Sequence, residues 1–86
     1  MAKRTRENAE YRSMLSRMLR AYGERVAWSD DFDLAELITL REEVEATIAT
    51  AVRGQRKNFG VSWASIALGL GVSRQAAFKR YGGDGL

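Results

Sequence analysis

The chain has 86 residues, 14 Lys/Arg against 11 Asp/Glu and a formal net charge of +3, which allows one small domain burying only about 60% of the surface of its unfolded chain, marginal without a partner. With no Cys and no His, disulfides, thiolate chemistry, zinc fingers and the commonest general base are excluded together. No apolar run reaches the ~18 residues of a membrane span, and the polar start MAKRTRENAEYR lacks the apolar segment of a signal peptide, so a cytoplasmic protein without membrane contact, metal or cofactor is expected.

Proline is absent and the apolar residues recur at three and four, so the whole chain reads as helical. A first helix is expected from about Arg4 to about Ala27, with Tyr11, Met14, Leu15, Met18, Leu19, Tyr22 and Val26 on one stripe. Next, WSDDFDLAEL reads as a stop and a restart. Asp33 is the expected N-cap, with Glu36 closing a capping box and Phe32 and Leu37 forming a hydrophobic staple.

A second helix follows from Leu34 to about Asn58 through Leu37, Ile38, Leu40, Val44, Ile48, Ala51 and Val52, with Gly60 as its cap; Gly54 allows an earlier end near Arg53. Two long amphipathic helices joined by a short turn predict an antiparallel hairpin over residues 4–58. Its apolar seam is wider than two short downstream helices can cover, so a homodimer is expected.

The charges are segregated along the chain. Residues 1–29 carry seven Lys/Arg against three acids, residues 30–52 one against seven, and residues 53–86 six against one. Blocks of +4, −6 and +5 suggest that the two ends share a polyanionic partner while the middle faces elsewhere. The competing reading of each block is a solvated helix face.

Residues 62–82, SWASIALGLGVSRQAAFKRYG, hold two short helical runs around a glycine and a serine. Ser62 is an N-cap, and Trp63, Ile66, Ala67 and Leu70 form an inner face with Ala67 small where another helix must cross. Gly71 ends the run, Val72 is expected to insert between the helices, Ser73 caps the last helix, and Gly82 stops it. Ala77 and Tyr81, one turn apart, then face in, and Arg74, Gln75, Phe78 and Lys79 occupy the free face.

This stretch resembles the helix-turn-helix of small bacterial and phage DNA-binding proteins, of the homeodomain-like kind, in which an alanine in the first helix, a glycine in the turn and a VSRQA-type start to the recognition helix recur. The resemblance implies that residues 74–81 enter the major groove of duplex DNA, with Ser73 and Arg74 near phosphate and Gln75 and Lys79 near base edges. The chemistry agrees. Gln can pair bidentately with adenine and Arg with guanine. Lys79 and Arg80 either meet DNA or form a solvated face, Phe78 either touches a thymine methyl or is a buried aromatic, and Arg53, Arg56 and Lys57 are candidates for added phosphate contacts.

The sequence therefore predicts a single all-α domain of four helices: a long hairpin that dimerises, then a C-terminal helix-turn-helix over residues 62–82 that binds duplex DNA, with transcription regulation as its use. The alternative is a helical adaptor whose acidic second helix engages another protein while the helix-turn-helix is structural. An enzyme is disfavoured, because Glu42, Glu43 and Glu45 have no metal-ligand spacing, nucleophile partner or phosphate loop beside them.

Overall fold

The computed structural model describes residues 2–83, with side-chain environments from residue 6 onward. Four α-helices follow in order: α1 (Ala2–Ala27), α2 (Leu34–Phe59), α3 (Trp63–Leu70) and α4 (Arg74–Tyr81), with a short 3₁₀ turn, Asp31–Asp33, before α2. The protein is all-α, and among the described residues no strand occurs and no helix is long and apolar enough to cross a membrane.

The chain divides into two compact units at Leu40/Arg41, inside α2. In the first, α1 ends where the amides of Trp28 and Ser29 donate to the Arg25 and Val26 carbonyls. The cap that follows differs from the sequence expectation. Asp30, in extended backbone, accepts from the Phe32 amide at 3.0 Å, whereas Asp33 lies inside the 3₁₀ turn and accepts from the Ser29 hydroxyl. With Asp33 so engaged the capping box does not form, and Phe32, 83% exposed, makes no staple. Three aspartates within four residues offer the same acceptor, and the tighter turn selects the earliest.

α2 runs unbroken past Gly54. Its hydroxyls at Thr39 and Thr47 donate to the carbonyls of Ala35 and Glu43, four residues back, which satisfies polar groups on an otherwise unfavourable β-branched residue. It stops at Gly60, whose positive φ of 63° lets its amide return to the Arg56 carbonyl at 2.9 Å.

The second unit has a small core of Val52, Ile66, Ala67, Ala77 and Tyr81, flanked by Ile48, Ala49, Val61, Trp63 and Leu70. Two of the five buried residues are alanines, so α3 and α4 meet where side chains are short. Ser62 caps α3 by accepting from the Ser65 amide, and Gly71 closes it in the left-handed region at φ 73°. The Val72 amide donates to the Ala67 carbonyl and the Gly71 amide to that of Leu68, the paired bonds of a Schellman ending. Val72 does not insert between the helices: its side chain is 36% exposed, because the ending uses its amide and leaves the side chain at the rim. The face Trp63, Ile66, Ala67 and Leu70 does turn inward, as the spacing predicts.

Candidate nucleic-acid interface

Ser73 fixes α4 at its start. Its backbone is extended, and its hydroxyl accepts from the Ala76 amide at 3.1 Å, so its side chain is already used in capping. Ala77 and Tyr81 are buried, which settles the orientation of the other six residues of the helix. At about 100° per residue, Gln75 and Lys79 lie one turn apart on the side opposite that buried pair. Both are exposed. Arg74 and Phe78 occupy one flank and Arg80 the other, all exposed. The helix contains no acidic residue.

The two flanks differ in surroundings. On one, Phe78 packs edge-on against Trp63 with ring centroids 5.4 Å apart while remaining 49% exposed; it borders a cleft that also holds Arg53, Arg56, Lys57 and Tyr81. On the other, Arg80 lines a hollow with Glu45, Leu70, Val72 and Tyr81, and the Tyr81 hydroxyl donates to Glu45 at 3.3 Å. A carboxylate therefore stands beside Arg80, and among the described residues none lines the Phe78 cleft. The cleft is the more attractive side for an anion.

Arg56 has an added duty that the sequence did not disclose. Its guanidinium donates to the Val61 carbonyl at 2.8 Å and lies 4.5 Å from the centroid of Trp63, a cation–π contact worth about 0.5–1 kcal/mol at an exposed site. It clamps the loop between α2 and α3. Arg53 and Lys57, one turn apart on α2, line the same cleft with exposed side chains. The fold thus brings Arg56, Lys57 and Phe78 together, sets Gln75 and Lys79 on the outermost line of α4, and separates Arg80 from both groups. Trp63 was legible as an inner-face residue but not as the surface that Arg56 and Phe78 share.

Comparison of the chain with family models, curated proteins and solved structures returns no match. The functional reading therefore rests on the geometry of α2, α3 and α4.

Proposed function

We propose that this is a cytoplasmic, non-enzymatic regulator of transcription that binds duplex DNA as a homodimer, with α3 and α4 as a helix-turn-helix and α4 as the recognition helix. The observation that carries the reading is the line of Gln75 and Lys79 on α4, opposite the buried Ala77 and Tyr81, on a helix with no acid to repel phosphate. Gln75 offers a donor and an acceptor to an adenine edge. Lys79 and Arg74 reach phosphate or guanine, with Lys57 and Arg53 adding charge from the cleft side and Arg80 from the other flank. Ser73 acts by setting the start of α4, and Phe78 presents an apolar edge to a thymine methyl or to sugar. Fluorescence anisotropy on a pool of random duplexes tests this: binding at low salt that weakens steeply as salt rises is expected.

A second reading is supported by a separate feature. The first half of α2 is acidic and exposes Leu34, Ile38 and Val44, the face an adaptor would offer to a basic protein partner. Absence of binding to any duplex at low salt would put this reading first.

A further inference from the structure

We propose that α1 is a self-association helix, two copies of the chain pairing antiparallel along Tyr11, Met14, Leu15, Met18, Leu19 and Tyr22. This gives the proposed homodimer its interface and rests on that part of the reading. The first five of these side chains are 41–64% exposed, and Tyr22 is partly so. At about 100° per residue the six fall within an arc of about 140°, the width of a buried helix face rather than of scattered surface residues.

The spacing suits a second copy as the occupant. From Tyr11 to Tyr22, short of the buried Val26, the stripe advances in either direction by three, one, three, one and three. In an antiparallel pair, residue i of one copy faces residue j of the other where i and j have a constant sum. One register then sets Tyr11 against Tyr22, Met14 against Leu19 and Leu15 against Met18, and does so twice about a two-fold axis. That is the self-complementarity an isologous interface requires. A parallel pair, or an unrelated partner, would need no such symmetry.

Charge agrees with the same register. Glu7 and Arg25 lie on one flank of the stripe, and antiparallel packing brings like flanks together. Each Glu7 therefore comes beside Arg25 of the other copy, a pairing that a parallel arrangement lacks. The helix dipoles also oppose rather than add. Five side chains about half exposed and Tyr22 less so offer roughly 400–500 Å² of apolar surface per copy, so two copies approach the ~1,000 Å² of a specific interface before flanking residues are counted.

The test uses the full chain without DNA, so that it is read apart from duplex binding. Sedimentation equilibrium at ~50 μM is expected to give a dimer, and Leu15→Glu with Met18→Glu to give a monomer. Because the chain has no cysteine, Tyr11→Cys and Tyr22→Cys can be prepared separately and mixed under mild oxidation. The mixed disulfide should exceed either self-disulfide by about tenfold or more. As a second measure that leaves the apolar stripe intact, Glu7→Arg and Arg25→Glu should each weaken the dimer a few-fold and together restore it. A wild-type monomer, as when another part of the chain covers the stripe, overturns both the pairing and the homodimer. A dimer in which Tyr11→Cys links best to itself overturns the antiparallel pairing alone.

Discussion

Gly71 and Gly82 close the two short helices for different physical reasons, and substitution separates them. At Gly71 a Cβ would meet nothing within 4 Å, but φ is +73°, so the cost of a side chain is conformational alone. Gly71→Ala should cost about 1–2 kcal/mol, and Gly71→Val more, since a β-branched residue tolerates that backbone least. In a chain of this size each kcal/mol lowers the midpoint of a thermal melt by about 4–8 °C; an unchanged melt for Gly71→Val would deny the turn its role. Gly82 has an ordinary φ of −92°, yet its Cβ would stand 2.6 Å from the Phe78 carbonyl oxygen and 2.9 Å from a carbon of the Phe78 ring. Gly82→Ala must therefore move the end of α4. The expected signature is a lower melt together with altered Trp63 emission, because Phe78 packs on that ring; a neutral substitution would mean that the last turn relaxes freely.

At the scale of elements, α4 unites a structural role and the proposed reading role, and two kinds of variant divide them. Ser73→Ala removes the acceptor of the Ala76 amide and should cost about 1 kcal/mol of stability, measured by denaturant titration, with no change in sequence preference once folded. Gln75→Ala should leave stability and nonspecific affinity alone but relax preference at one base position by about 1–3 kcal/mol. Lys79→Ala, if the side chain meets phosphate, should weaken all sequences alike. Selection from randomised duplexes decides it: a Gln75→Ala protein that enriches the wild-type site with equal strength returns Gln75 to a solvated position. The two short helices were legible in the sequence because serine caps, apolar spacing and terminal glycines agree at Ser62, Gly71 and Ser73. The start of α2 at Leu34 was legible as well, but the capping residue before it was not, since Asp30, Asp31 and Asp33 are chemically alike and only the turn geometry selects Asp30. Nor was the clamp of Arg56 on Trp63, which depends on the path of the loop through Gly60 and Val61 and not on any helical period.

For the whole molecule, the sequence places its break at the loop near residues 58–62, where glycine and serine are visible, while the compact units divide at Leu40/Arg41. Side-chain burial explains the difference: Ile48 and Val52 on α2 pack with α3 and α4, so the second half of α2 belongs with that helix pair. The charge blocks do not follow this division, since the acidic block 30–52 is split across it, but Arg53 and Lys57 sit in the same unit as Arg74, Lys79 and Arg80. If about four of these cations contact phosphate in each copy, log K should fall against log salt with a slope of about −3.6 for one copy and about −7 for two, each displaced counterion contributing about 0.9. The variant carrying Leu15→Glu and Met18→Glu removes the proposed pairing without touching a cationic residue. Its slope at low protein concentration should be about half that of the wild type, and its preference for inverted half-sites should vanish while single half-site preference remains. Anisotropy titrations at four salt concentrations, on a selected duplex and on its isolated half, measure both quantities. An equal slope for wild type and variant on the full site would mean that each copy binds DNA on its own, and that α1 contributes no coupling between them.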